Sequence, residues 1–213
     1  AVASGLDAET GSWKVATWTR TFDGSGWTFD DSFALDPMDA DSSFDEGLAA
    51  AEDRVAVLSR CNGPGCTGPQ AYVFERAGAS WQRAARLPLS ITGRIALAIE
   101  RNFLIACGYA CQTFRRNVAG QWVPEQALDL DGLPMPIRDV AIRSQLLVVG
   151  AVGRGAIFRR SDINDLWSRE FMTPEGFPTE GLMGSAVATD GEIALIGAAC
   201  LDTCPGSAYV YWN

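Results

Sequence analysis

The sequence predicts an all-β protein, a small β-propeller of four-stranded antiparallel blades. Three observations lead there: a strand unit that recurs along the chain, hairpin-forming turns that punctuate each copy, and cysteines that fall at one place in the unit. The repeat predicts five blades in one domain spanning residues 1–213, with four blades or a ring completed by another protomer as alternatives.

The most regular element is a strand ending in aromatic-x-Arg: Trp18 with Arg20, Phe74 with Arg76, Phe114 with Arg116, and Phe158 with Arg160. Tyr211 holds the aromatic place in a fifth copy. The copies recur at intervals of roughly 40 to 56 residues, about the length of a propeller blade. Each of the first four is followed by a polar link ("DGSG", "AGAS", "NVAGQ", "SDINDL") and then by Trp27, Trp81, Trp122 or Trp167. Such links join antiparallel neighbours, so each tryptophan opens a further strand. These tryptophans and aromatics are expected to pack one blade on the next, not to stack on a ligand.

Upstream of each aromatic strand lies a second hairpin. Its first strand is small and apolar ("GLAAAED", "RIALAIE", "IRDVAIR", "GSAVATD"). Its second is a more continuous apolar run ("RVAVLSR", "FLIACGY", "LLVVGAV", "EIALIGAA"). Continuous Val, Ile and Leu runs suit strands buried on both faces, and alternating ones suit half-buried strands. With residues 1–4 as a second strand and Trp13–Arg20 as a third, the chain counts out as three strands, three complete blades and three more strands.

Composition narrows function mainly by exclusion. Seventeen Lys and Arg against 26 Asp and Glu give a formal charge of -9, the wrong sign for tracking nucleic-acid phosphates or anionic membrane surfaces. No run of apolar residues is long enough to span a bilayer, so the sequence predicts a soluble, mature product without membrane insertion. Histidine is absent, which removes any Ser-His-Asp or Cys-His centre built within the chain.

The units resemble FG-GAP-type repeats, the blades of integrin α-chain heads. The stretches that carry the resemblance are Ala34–Arg60 with Ala71–Leu87, and Gly184–Ala199 with Gly206–Trp212. They share a small-residue strand, a turn, a strand ending near Gly-Ala, and then "AYVF" or "AYVY". The sequence departs from the family at its name: Phe-Gly becomes Phe44-Asp45-Glu46-Gly47, and Gly-Ala-Pro is reduced to "GAV" and "GAA". The resemblance implies an extracellular propeller engaged in adhesion or recognition, not an enzyme.

The cysteines form three close pairs, Cys61/Cys66, Cys107/Cys111 and Cys200/Cys204, each at the turn from the second strand to the aromatic strand. The repeat places each pair to clip its own hairpin as a local disulfide, rigidifying an exposed loop tip. Zinc would need two pairs to meet, and the blades hold them apart. Persistent disulfides imply an oxidising compartment, hence an extracellular, secreted or cell-surface location.

Among other chemistry, Asp39, Asp41, Ser43 and Asp45 alternate in an acidic loop whose oxygens could converge on calcium, against the simpler reading of a solvated loop. No other cofactor is expected. Asp30, Asp31, Glu52, Asp53, Glu100 and Asp190 are nominal carboxylates for glycosidic chemistry, though most sit in turns. The recurring Arg20, Arg76, Arg116 and Arg160 read as structural residues, either paired with acids on neighbouring blades or packing their apolar stems along a strand face. The expected function is a non-enzymatic extracellular recognition or adhesion module whose loops bind protein or glycan, with no catalytic residues assigned. The alternatives are a structural subunit of an extracellular polymer, self-associating through its terminal blades by strand addition, and a glycan-active hydrolase.

Overall fold

The computed structural model describes residues 2–6, 13–21, 26–34, 42–43, 47–61, 68–162, 164–174, 181–200 and 206–212. Among them every regular element is a strand, and the strands form five antiparallel sheets, numbered here in chain order. The chain divides into two compact units, Ala1–Ser90 and Ile91–Asn213.

The first unit holds two sheets. Sheet one runs β1 (Val2–Leu6), β2 (Trp13–Arg20), β3 (Trp27–Ala34). Sheet two runs β6 (Arg54–Cys61), β7 (Gln70–Ala77), β8 (Ser80–Pro88), and the remaining side of β6 is paired by β4 (Ser42–Ser43) and β5 (Leu48–Ala51). Val15, Val55, Val57, Tyr72 and Phe74 make its core, with Phe33, Leu48 and Trp81 packed against them.

The second unit holds three sheets. Sheet three is β9 (Ala96–Glu100), β10 (Phe103–Cys107), β11 (Cys111–Arg116) and β12 (Trp122–Ala127). Sheet four is β13 (Ile137–Arg143), β14 (Leu146–Ala151), β15 (Arg154–Arg159) and β16 (Ser168–Met172). Sheet five has three strands, β17 (Gly181–Thr189), β18 (Ile193–Cys200) and β19 (Ser207–Trp212). The strand count of the terminal sheets is therefore the one the repeat predicts. β10 and β14 are buried along their whole length, as their unbroken apolar runs require.

The first strands of these sheets lie side by side, β13 between β9 and β17. Backbone amides cross between sheets there: Ile137 N donates to Gly108 O at 2.9 Å, and Gly153 N to Met183 O at 2.8 Å. The approach is close enough to demand glycine. A Cβ on Gly184, whose φ is +78°, would stand 2.2 Å from Ala151 O and 2.3 Å from Arg154 O.

Two devices recur, each in four of the five sheets. The hairpin between first and second strands turns through a residue of positive φ: Glu52 (51°), Arg101 (43°), Ser144 (55°) and Gly191 (103°). The residue after it then accepts from the arginine of the aromatic-x-Arg strand, as Arg76 N to Asp53 O, Arg116 N to Asn102 O and Arg160 N to Gln145 O. The second device is a bulge just before the aromatic, at Thr17/Trp18, Val73/Phe74, Thr113/Phe114 and Ile157/Phe158. Opposite each bulge one residue of the tryptophan strand is left without a ladder partner: Asp30, Ala84, Glu125 and Glu170.

Candidate functional site

The bulge residue is where the sheets are tied together. In the first unit, Asp30 of sheet one takes the Arg76 guanidinium of sheet two at 2.6 Å (Nη2 to Oδ1). Its other oxygen accepts from Thr17 Oγ1 at 3.2 Å, and Thr17 Oγ1 in turn accepts from the Trp81 indole N–H at 3.2 Å. In the second unit, Glu125 of sheet three meets Arg160 of sheet four at 3.5 Å and its own Arg115 at 3.3 Å. The recurring arginines thus pair with acids of the neighbouring sheet at Arg76 and Arg160, the first of the two structural readings the repeat left open. Arg20 lies in β2, and Arg116 in β11.

The two locks differ in depth. The Arg160 side chain is wholly buried, its guanidinium carbon 3.8 Å from the Phe103 ring centre and 3.7 Å from that of Trp167. Burial pushes its pKa below the ordinary arginine value, and the Glu125 carboxylate draws it back up. The group remains a cation held between two rings. Arg76 is instead 36% exposed, and its lock opens onto a cleft.

That cleft, of about 390 Å³, is the candidate site. Sheet one contributes Thr17, Thr19 and Asp30; sheet two contributes Glu52, Arg54, Arg76 and Trp81. Strand alternation aims Thr17 and Thr19 at sheet two. Arg54 is held by Glu75 at 3.3 Å and by Asp53 at 3.0 Å, so its guanidinium is fixed in the wall. The arrangement offers a pre-positioned carboxylate, a planar donor fork, hydroxyls and the edge of an indole in one concave place.

The tryptophans do not share one environment. Trp122 and Trp167 are 7% and 3% exposed, as blade-packing residues should be. Trp27 is 59% exposed, contrary to expectation: among the described residues of its unit no sheet lies against that face.

Of the cysteine pairs, Cys107 and Cys111 form a disulfide across the β10–β11 turn, with Cα atoms 4.1 Å apart. Both residues are fully buried and belong to the core, so this bond is not the exposed loop-tip clip that the spacing suggested. The exposed part of the turn is Tyr109 and Ala110. Cys61 and Cys200 end β6 and β18; Cys66 and Cys204 lie outside the described residues. Of the acidic loop, Asp39, Asp41 and Asp45 also lie outside them, and Ser43 pairs with Arg60 through β4. Among the other carboxylates, Glu100 is buried, accepting from Ser144 N and facing Arg143 Nε at 3.5 Å. Asp190 caps the β17–β18 turn by accepting from Ile193 N and Glu192 N. Asp30 and Glu52 are the two that reach the cleft.

The chain matches no protein-family model and no curated protein. Among solved structures it is similar to a protein from Lactobacillus plantarum, with a TM-score of 0.60 at 13% identity, over 99% of this chain and 65% of that one. It therefore spans less than two thirds of that neighbour's length. A computationally designed protein, Ika4, aligns over 78% of this chain and 89% of its own at 16% identity, with a TM-score of 0.48. At such identities likeness speaks to fold only. Together with the repeated antiparallel sheets, the first likeness supports a β-propeller-like fold.

Proposed function

We propose that this protein is a non-enzymatic recognition or adhesion module that works outside the cell and binds glycan or protein partners in the cleft between sheets one and two. The observation that carries the reading is the Asp30–Arg76 pair standing at the cleft beside Thr17, Thr19 and the Trp81 indole. A carboxylate and a guanidinium fixed side by side accept from one ligand group and donate to the next, which suits vicinal hydroxyls or a peptide amide. Both oxygens of Asp30 already accept hydrogen bonds, which fits a binding role better than delivery of a proton to a leaving group.

Within this reading the units are FG-GAP-type repeats and the five sheets are blades of one propeller. The positive-φ hairpin and the bulge, repeated at fixed places, support it. The Cys107–Cys111 disulfide is compatible with an oxidising, extracellular setting.

The test is capture by the immobilised full chain from an array of glycans and extracellular-matrix proteins. Specific retention of an intact ligand, lost at least about tenfold in Asp30→Ala while the variant keeps the parent far-ultraviolet spectrum and cooperative unfolding, is the expected result. Release of shortened glycans would instead make the protein a hydrolase, and equal retention by Asp30→Ala would remove the cleft from the account.

A further inference from the structure

A second hollow, of about 320 Å³, lies between the first hairpins of sheets three and four, wholly inside the second unit. Glu100, Arg101 and Asn102 of the β9–β10 turn form one wall, and Ser144 and Gln145 of the β13–β14 turn form the other; Phe103 and Arg160 complete the lining.

Both turns are held in place from within the fold. Glu100 is 3% exposed and ties one to the other: one carboxylate oxygen accepts from Ser144 N, and the other faces Arg143 Nε at 3.5 Å. The backbone carbonyls of Asn102 and Gln145 accept from Arg116 N at 2.8 Å and from Arg160 N at 3.1 Å. A buried carboxylate engaged through both oxygens sets the distance between the walls, so a ligand would enter a hollow already shaped. With their backbones committed, Asn102 and Gln145 bring their side-chain amides to it, the first part-exposed and the second exposed.

The repeat shows what is particular about this place. Glu52, Arg101 and Ser144 are the positive-φ residues of successive turns, and Asp53, Asn102 and Gln145 follow them. The turn of sheet two thus presents two carboxylates where the turn of sheet four presents a hydroxyl and an amide. The lining sets Arg101 and Arg160 against Glu100, an excess of one cation in a chain of net charge -9. Arg143 and Glu125, just outside the lining, leave that balance unchanged. Arg160 is wholly buried and acts through its field, whereas Arg101 is exposed and can be touched.

We propose that this hollow binds a uronate, a sugar ring bearing a carboxylate, with the carboxylate on the Arg101 guanidinium and the ring hydroxyls shared by Asn102 and Gln145. The excess positive charge selects an anion over a cation. Two amides on opposite walls can each donate to one hydroxyl and accept from the next. A bare carboxylate or sulfate has no proton to give and would use only their donors. The volume is at the lower end for small-molecule sites, which suits a single ring. This site goes beyond the recognition reading: it shares no residue with the cleft between sheets one and two, and it stands or falls separately.

The experiment titrates the full isotope-labelled chain with sodium glucuronate and, at the same ionic strength, with glucose and with sodium acetate. The expected result is shifts confined to the backbone amides of residues 100–103 and 144–146 and to the side-chain amides of Asn102 and Gln145. Glucose and acetate should each bind at least about tenfold more weakly. Arg101→Asn removes the charge while keeping a residue that tolerates the positive φ of the turn, and should weaken glucuronate about tenfold. Gln145→Ala should weaken it about threefold. Unmoved resonances at these residues in tens of millimolar glucuronate, or equal binding of glucose or of acetate, would overturn the proposal. Glucuronate binding unchanged in both variants would overturn it as well.

Discussion

Aspartate in a tight turn shows how far local chemistry decides a residue's state in this protein. The Asp190 carboxylate accepts from the amides of Ile193 and Glu192 at 2.8 and 2.9 Å, and these bonds hold its pKa below that of an ordinary aspartate. Its folded pKa is depressed, so its contribution is fully present above the unfolded value and fades as pH falls through the folded one. A carboxyl-carbon NMR titration should therefore place Asp190 below a model aspartate, and an ordinary midpoint would show the turn to be open in solution. The same attention to immediate partners explains why Trp27 escaped the sequence reading. Periodicity assigns a side chain to a face of a sheet; it does not say whether another sheet lies against that face.

Strands and sheets are held by a lock that recurs with the repeat, an arginine of one sheet on the bulge acid of its predecessor. The Arg160 lock is buried between two rings and the Arg76 lock is half open, so the two should differ in energy. Arg160→Ala removes a stacked cation from the core and should cost about 3 kcal/mol, whereas Arg76→Ala should cost less than about 1 kcal/mol. Urea unfolding of the two variants checks the contrast, and equal losses would refute it. Much at this scale was legible beforehand. The aromatic-x-Arg and tryptophan spacing yields the strands and their count, because hairpin neighbours are close in sequence. The bulge acids were also written there as Trp-x-x-acid, in Trp27 with Asp30, Trp122 with Glu125 and Trp167 with Glu170. Their meaning was hidden because a bulge shows only once two strands are aligned. Asp30 and Arg76 are 46 residues apart and meet only through sheet packing, so the cleft itself could not be read in advance. Pairing of Cys107 with Cys111 follows from local spacing. Their burial follows from contacts of the turn with Thr92 and Ile137, which spacing does not contain.

For the whole molecule, two expectations compete: a recognition module complete in one chain, and a subunit that assembles with copies of itself. The exposed Ile193, Leu195, Val210 and Trp212 of sheet five are what a polymer subunit would use. Against it, the four tryptophan-led strands are each already built into their own sheets, so a copy could lend one only by opening a sheet. Sedimentation velocity of the chain over a hundredfold range of concentration separates these directly. The account predicts one species of 22.8 kDa throughout, and a concentration-dependent ladder of its multiples would contradict it.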